Sequence, residues 1–202
     1  MTELATPKGQ KARCAVPQHG TKRRMSGPGV LTVSLGAASR SRYDTSIAQK
    51  QLSIMQLTAP QGSTDGAWLA LRLALWTEVT EAEQLSGMAD ALARGHYVRL
   101  AVNASGSVVG FVEASKRVDY VNGTNSSPVA FIEGLYVVQS SRRQGVARAL
   151  VESVLKWALG EGCRELASDS LLDNTAAHAA HRALGFEETE RVVYFRRVLH
   201  NA

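Results

Sequence analysis

The chain has 202 residues, of which 45% are apolar and 20% are charged, and its formal net charge is +5. This length suits one domain with a single core plus an appendage. No apolar run approaches the roughly 20 residues of a membrane-spanning helix, and the two cysteines, Cys14 and Cys163, form no zinc-ligand pattern. The excess of positive charge alone would suggest nucleic acid or an anionic membrane.

That charge belongs to the N-terminal quarter. Residues 1–54 carry nine basic and two acidic residues, a net charge of +7, whereas residues 55–202 carry 14 basic and 16 acidic residues, a net charge of −2. The first segment is rich in Gly, Pro, Ser and Thr, and it lacks the apolar surface needed to form a core. We therefore expect a disordered basic extension over 1–54, with Met55 as a candidate internal start, and one folded domain over 55–202.

The predicted elements of this domain alternate between strands and helices. In chain order, they are a strand at 54–59, a helix at 64–77, a helix from the Thr80 capping box to Gly95, and strands at 97–102 and 108–113. A polar loop at 119–128 then precedes a strong strand at 129–138, a loop at 139–145, a helix at 146–159, a strand at 164–167, a helix capped by Asp173 or Asn174 that ends at Leu184, and a last strand at 191–198. This order predicts an α/β (α+β) fold in which helices pack on a mixed central sheet.

The loop after the strand at 129–138 carries the most informative motif. The run Arg142-Arg143-Gln144-Gly145-Val146-Ala147 places a glycine and a small residue where the loop enters a helix. Exposed amides and the helix dipole favour an anion at such a position. Taken alone, these six residues also fit a basic surface turn, but the strand–loop–helix context favours a pyrophosphate-binding loop.

This R-x-x-G-x-A signature, followed by Asn174 and by residues 181–186 (HRALGF), resembles the GCN5-related N-acetyltransferase (GNAT) superfamily, which binds acetyl-coenzyme A. Five segments resemble the aminoglycoside 6'-N-acetyltransferases in the same order: 71–76 (LRLALW), 119–128 (DYVNG followed by SSP), 131–134 (FIEG), 167–169 (ASD) and 184–190 (LGFEETE). The resemblance covers about residues 55–198. It implies a GNAT fold whose mixed sheet is splayed between strands 4 and 5.

The resemblance also implies a coenzyme site in that gap, where the pantetheine arm pairs with the strand at 129–138 like an added strand. The implied contacts are Tyr136, Val137, Val138, Arg142, Arg143, Gln144, Gly145, Val146, Ala147, Asn174 and His181. An amide near Val137 or Val138 would stabilise the oxyanion. His181 stands where many members have tyrosine, and it either protonates the leaving thiolate or only lines the site.

The implied acceptor site consists of Trp76, Tyr120, Glu133, Asp169 and Glu190. Three carboxylates suit a polycationic aminoglycoside, and two aromatic rings offer flat faces for sugars. Glu133 and Asp169 would position the amine while water removes its proton. The residues alone leave structural alternatives open: a core Trp76, a loop-anchoring Tyr120, a Glu133 paired with a protein arginine, an Asp169 that caps a turn, and a solvated Glu190.

The sequence thus predicts an enzyme that moves the acetyl group of acetyl-CoA to the 6'-amine of aminoglycosides, by direct transfer in a ternary complex, and confers resistance. One alternative is a GNAT enzyme for another amine, such as a polyamine or a peptide N-terminus. Another is a nucleic-acid-binding protein that uses the +7 segment. For the enzyme we expect a cytoplasmic location, no metal, no nucleic-acid or membrane partner, and, by analogy with the family, a homodimer.

Overall fold

The computed structural model describes residues 55–199. The extension predicted to be disordered, residues 1–54, lies outside the described residues, as does the beginning of the first predicted strand.

Five strands form one mixed sheet in the order β1-β2-β3-β4-β5. They are β1 (Gln56–Thr58), β2 (Tyr97–Val102), β3 (Val108–Arg117), β4 (Val129–Val137) and β5 (Leu166–Ser168). The neighbouring pairs among β1, β2, β3 and β4 are antiparallel, whereas β5 runs parallel to β4. This mixed sheet, together with the helices on its faces, confirms the predicted fold class.

Residues 55–199 contain four α-helices, and three of them begin at a residue whose side chain caps the first turn. The four helices are α1 (Gly66–Leu75), α2 (Glu81–Ala93), α3 (Val146–Gly160) and α4 (Thr175–Ala183), with a 3-10 turn at Gln139–Ser141 before α3. Thr80 and Glu83 form the predicted capping box at α2. Asn174, rather than Asp173, caps α4 by accepting the Ala177 amide at 3.0 Å.

The helices cover both faces of the sheet. On one face, α1 and α2 bury Trp68 and Met88 against Phe111 of β3. On the other, α3 presents Leu150 and Val154, four residues apart and therefore on the same side of the helix, to the opposite face of the sheet. The sheet is thus the middle layer between two apolar cores.

The sheet opens between β4 and β5. Although β4 is nine residues long, it pairs with β5 only at Ala130–Leu166, Phe131–Ala167 and Ile132–Ser168. Beyond Ile132, the outer edge of β4 pairs with no strand in the described part of the chain. This opening corresponds to the splay predicted between strands 4 and 5.

One predicted strand is wrong. Residues 191–198 form no strand in the structure, where the chain from 187 to 199 makes no ladder with the five-stranded sheet. The run RVVYFRRV has the β-branched and aromatic residues that favour strands. Strand formation also needs a hydrogen-bonding partner, and no strand of the sheet pairs with this segment.

A second difference lies in β3, which continues to Arg117 instead of ending at residue 113. The extra residues pair with β4, and Arg117 stands opposite Val129. Ser115 and Arg117, two residues apart, therefore occupy one face of a strand.

Candidate active site

The loop before α3 has the backbone shape that the sequence predicted. Gly145 is the residue immediately before the helix, and its φ of 86° lies in the left-handed region, where glycine has no steric cost. Arg143 also has a positive φ, 61°. The first amides of α3 lack intrahelical acceptors, as at any helix start, so this turn can receive an anion.

Arg142 ties this loop to the end of β4. Its Nε donates to the Val137 carbonyl oxygen at 3.0 Å, and its guanidinium lies 5.7 Å from the ring centre of Tyr136. Gln144 Nε2 donates to the Ser140 carbonyl oxygen at 2.8 Å and stiffens the turn. Arg142 therefore joins two other predicted coenzyme contacts at the end of β4: Val137 by a hydrogen bond and Tyr136 by a cation–π contact.

The two candidate oxyanion amides differ in their direction. The Val138 amide donates to the Val109 carbonyl oxygen at 2.9 Å, so it is engaged with β3. Backbone groups of successive residues point to opposite sides of an antiparallel strand. The Val137 amide therefore faces the open edge of β4, which makes Val137 the better candidate of the two.

Glu133 is held at the point where β4 leaves β5. Its carboxylate accepts hydrogen bonds from Ser115 Oγ at 2.6 Å and from Arg117 Nη2 at 2.9 Å. The Glu133 side chain is 17% exposed, and that of Arg117 is 36% exposed. The protein arginine that the sequence left as an alternative is thus present, and the ion pair borders solvent.

Trp76 packs against β4 at Gly134, the residue that follows Glu133. A Cβ atom on Gly134 would stand 2.6 Å from the Trp76 Cη2 atom, so the absent side chain makes room for the indole. The Arg72 guanidinium lies 4.6 Å from the Trp76 ring centre, and Phe111 packs at 6.1 Å. The half-buried Trp76 therefore packs against the core on the α1 side of the sheet, next to the strand that carries Glu133.

A buried ion pair lies next to Trp76. The Arg72 guanidinium is paired with the Glu113 carboxylate, and its Nε donates to Gln84 Oε1 at 2.8 Å. His96 Nδ1 approaches the other Glu113 oxygen at 3.2 Å. Because Arg72 and Glu113 are each more than nine-tenths buried, the pair requires these partners to offset its desolvation.

The loop at 119–128, which carries Tyr120, is fastened at its far end by Glu165. The Glu165 carboxylate accepts hydrogen bonds from the Ser126 hydroxyl and from the Asn125 amide, the latter at 2.9 Å. These bonds hold the pKa of Glu165 below its usual range. Buried Val121 fastens the near end of the loop, while Tyr120 itself is 74% exposed.

The remaining acceptor residues, Asp169 and Glu190, are exposed. Asp169 follows Ser168, which is the last residue of β5 and is aligned with Ile132 of β4. Thr189 lies against Gly123 of the loop, where an added Cβ would meet Thr189 Oγ1 at 2.1 Å. The loop that carries Tyr120 therefore adjoins the residue before Glu190, and β5 places Asp169 near the start of the gap.

The two coenzyme candidates on α4 have structural roles of their own. Asn174 caps the helix, as described above. His181 bonds to the Ala177 carbonyl oxygen through Nδ1 and to Ser168 Oγ through Nε2.

Cys163 is a buried core residue. It packs with Ala130 and Ala158, and burial raises the pKa of its thiol. This environment does not favour a nucleophilic thiolate. Over residues 55–199, no group of three or more His, Cys, Asp or Glu side chains could hold a metal ion, and no helix is long and apolar enough to span a membrane.

Sequence reasoning missed several residues that shape the site: Arg72, Glu113, Ser115, Arg117, Glu165 and Ser168. The only available signal was the spacing of Ser115 and Arg117, two residues apart and so on one face of a strand, but it required β3 to be extended. The other partnerships join residues far apart in sequence, which no local pattern reveals.

The mixed sheet, its opening between β4 and β5 and the glycine turn before α3 are the features that the resemblance predicted for an acetyltransferase. The acetyltransferase (GNAT) family model matches residues 67–186, and the chain belongs to this family. The predicted superfamily is therefore confirmed.

Two curated relatives show which enzymes of this family the chain is similar to. The chain is 54% identical over 132 residues to the aminoglycoside N(6')-acetyltransferase type 1 of Stenotrophomonas maltophilia, an alignment that covers 64% of this chain and 84% of the relative. The corresponding enzyme of Serratia marcescens is 47% identical over 134 residues, 66% of this chain and 92% of the relative.

Solved structures give the same result. The 6'-N-acetyltransferase AAC(6')-Ih from Acinetobacter baumannii superposes with a TM-score of 0.67 at 42% identity, covering 72% of this chain and 99% of that one. AAC(6')-Iy in complex with the bisubstrate analogue CoA-S-monomethyl-acetylneamine has a TM-score of 0.64 at 40% identity, with the same coverage.

Proposed function

We propose that this protein transfers the acetyl group of acetyl-CoA to the 6'-amine of aminoglycoside antibiotics and thereby confers resistance. The observation that carries the proposal is the acidic position at the fork of the sheet, where Glu133 follows the last β4–β5 pair and Asp169 follows the end of β5. The similarity to 6'-N-acetyltransferases supports it.

The coenzyme would enter the gap between β4 and β5. Its pantetheine amides would pair with the open edge of β4 around Tyr136 and Val137. Its pyrophosphate would lie on the amides at the start of α3, near Arg142 and Arg143, where the helix dipole and two guanidinium groups favour negative charge.

The acceptor would lie on the other side of the fork. Ammonium groups of an aminoglycoside would bind Glu133, Asp169 and Glu190, and its rings would contact Trp76 and Tyr120. The neutral 6'-amine would attack the thioester carbonyl directly in a ternary complex, with the Val137 amide stabilising the oxyanion. Water would carry away the proton of the amine.

A thiol-release assay with acetyl-CoA tests this function. We expect turnover with kanamycin or tobramycin and none with an analogue whose 6'-position carries a hydroxyl group. Equal turnover with that analogue would contradict 6'-specificity. Turnover of polyamines or peptide N-termini, without any turnover of aminoglycosides, would identify the protein as a GNAT enzyme for another amine.

The acidic acceptor site has its own test. We expect Asp169→Asn and Glu133→Gln to raise the KM for the aminoglycoside severalfold and to leave the KM for acetyl-CoA nearly unchanged, because each removes one negative charge from the acceptor side only. An unchanged acceptor KM in both variants would refute the assignment.

We further propose that the enzyme is a cytoplasmic homodimer. Support for the dimer comes from the segment at 187–199, where Tyr194 is 70%, Phe195 93% and Leu199 84% exposed. Adjacent apolar side chains of this size are typical of surfaces that a partner covers. The cytoplasmic assignment follows from acetyl-CoA being an intracellular metabolite.

A further inference from the structure

Both ring nitrogens of His181 are engaged. Nδ1 lies 2.8 Å from the Ala177 carbonyl oxygen, and Nε2 lies 3.0 Å from Ser168 Oγ. A carbonyl oxygen can only accept, so Nδ1 carries a hydrogen atom. In the neutral imidazole Nε2 must then accept a hydrogen bond, and the Ser168 hydroxyl is its donor.

The imidazole is held from several sides. The edge of Phe186 meets it with ring centres 5.3 Å apart and planes at 78°. The end of α4 is fixed to α3, because Arg148 Nη2 donates to the Ala183 carbonyl oxygen at 3.0 Å. His181 is therefore oriented by the main helix of the domain as well as by its own.

Ser168 stands at the fork of the sheet. It is the last residue of β5 and is aligned with Ile132, in the final pair before the strands part. Leu166, two residues earlier, packs toward α3, so alternation directs Ser168 to the same face. The Ser168–His181 pair thus adjoins the gap, between the open edge of β4 and Asp169.

We propose that Ser168 and His181 together return a proton to the thiolate of coenzyme A, with the Ser168 hydroxyl facing the sulfur. The inference rests on the proposed function, because it takes the thioester to lie in this gap. Neutral His181, as bonded here, has no hydrogen atom on Nε2 to donate. The imidazolium form of His181 supplies the proton, and the Ser168 hydroxyl carries it to the sulfur.

The proton passes from His181 through Ser168 to the sulfur. In the imidazolium form both ring N–H groups donate, one to Ala177 and one to Ser168 Oγ, and the serine hydroxyl is released to turn toward the sulfur. When the C–S bond breaks, its electron pair stays on sulfur. Sulfur takes the Ser168 proton, and Ser168 takes the Nε2 proton. His181 returns to the neutral tautomer, and the proton lost by the acceptor amine reloads it through water.

Steady-state kinetics with acetyl-CoA and kanamycin tests the pair. Because a thiol of pKa about 8.5 leaves with little help, we expect Ser168→Ala and His181→Gln each to lower kcat about tenfold, below the usual range for acid catalysis. Both KM values should stay within about twofold in Ser168→Ala. The double variant should be no slower than either single variant, since the two residues act as one unit.

Two matched variants serve as controls. Ser168→Thr keeps the hydroxyl and should restore kcat to within about threefold of the unaltered enzyme. His178→Gln changes the other histidine of α4, which bonds to the Leu171 carbonyl oxygen, and should leave kcat near its original value. Losses that multiply in the double variant, or an inactive Ser168→Thr, would overturn the proposal.

An altered leaving group separates proton delivery from orientation. A selenolate needs no proton to leave, so with acetyl-seleno-CoA the loss in Ser168→Ala should shrink to under about twofold. An equal loss with both donors would show that Ser168 only orients the site, and no loss with either donor would show that it has no role. Either result overturns the proposal.

The tautomer can be measured without any acceptor. In 15N spectra of the full chain, assigned with His181→Gln, the neutral imidazole of His181 should carry its hydrogen on Nδ1. A neutral His181 imidazole that carries its hydrogen on Nε2 would overturn the proposed Ser168–His181 pair. If the unaltered protein acetylates no aminoglycoside, the proposed function fails, and the spectrum still decides the geometry.

Discussion

Gly134 is the residue at which one methyl group should matter most. Its missing Cβ leaves space for Trp76, whose Cη2 and Cζ2 atoms would lie 2.6 and 3.0 Å away. We expect Gly134→Ala to displace the indole, to raise the aminoglycoside KM severalfold, and to destabilise the fold by about 1–3 kcal/mol. Kinetics and urea unfolding measure the two effects.

Gly160→Ala is the matched control for this change. An added Cβ at Gly160 meets nothing within 4 Å, so stability and both KM values should hardly change. If Gly134→Ala behaves like Gly160→Ala, the indole is not fixed by the strand.

A second prediction for single residues concerns the buried ion pair of Arg72 and Glu113. Arg72→Met leaves the Glu113 carboxylate buried with only His96 beside it. We expect a loss of about 3–5 kcal/mol in the free energy of unfolding, measured with urea. The double variant Arg72→Met/Glu113→Gln removes the buried charge and should regain more than half of the loss.

An exposed ion pair provides the contrast. Arg191 and Glu188 are paired on the surface at 2.6 Å. Arg191→Met should leave the unfolding free energy unchanged within error, since exposed pairs contribute little.

A double variant at Arg72 and Glu113 that is as unstable as Arg72→Met would contradict the role of the buried charge. It would mean that lost packing, not the uncompensated charge, causes the defect.

At the scale of elements, Glu165 links the loop at 119–128 to β5. Its folded-state pKa is lowered, first by the Ser126 hydroxyl and then by the Asn125 amide. The ionised Glu165 carboxylate, with these hydrogen bonds, therefore stabilises the fold at pH values above the ordinary glutamate pKa of 4.5. This stabilisation is lost as the pH falls through the lowered pKa of the folded state.

Thermal unfolding of Glu165→Gln tests this link. We expect its Tm to lie below that of the unaltered protein at neutral pH, and the two values to converge as the pH falls below 4.5 and through the lowered pKa of Glu165, where the native carboxylate becomes protonated. The same change at Glu152, an exposed residue of α3, should shift Tm little. A Tm difference that does not vary with pH would contradict the role of the carboxylate.

For the whole molecule, the row of exposed apolar side chains at 192–199 bears on assembly. If it lies in a dimer interface, the pair of changes Val193→Ser and Phe195→Ser should convert the dimer into a monomer while the circular dichroism spectrum is retained. Light scattering coupled to size exclusion measures the mass. A monomeric unaltered protein, or a dimeric double variant, would refute this interface.

Local signals in the sequence predicted most of the fold. The Thr80 capping box and the loop that ends at Gly145 each depend on a few adjacent residues, and both are confirmed. The full length of β3 and the state of residues 191–198 depend on which strands find partners, and both were mispredicted. Strand limits are decided by pairing across the sheet, which a single strand's composition does not contain.

The candidate site was predictable only in part. The family resemblance named Glu133 and Trp76, but not the groups that hold them. Arg117 reaches Glu133 through the register of β3 on β4, and Arg72 reaches Glu113 across 41 positions of sequence. Such partners follow from tertiary packing. The sequence therefore indicated the carboxylates and aromatic rings of the site, but not the charged groups that lie against them.

The pairing of Arg117 with Glu133 has a consequence for the catalytic cycle. Under the proposed function, an ammonium group that binds Glu133 would displace the Arg117 guanidinium, so the carboxylate would keep a positive neighbour before and after each turnover. Acetylation converts the 6'-ammonium into a neutral amide, which no longer competes for that position. The returning Arg117 would then favour departure of the product, and the rate of product release should fall when Arg117 is replaced by a neutral residue of similar length.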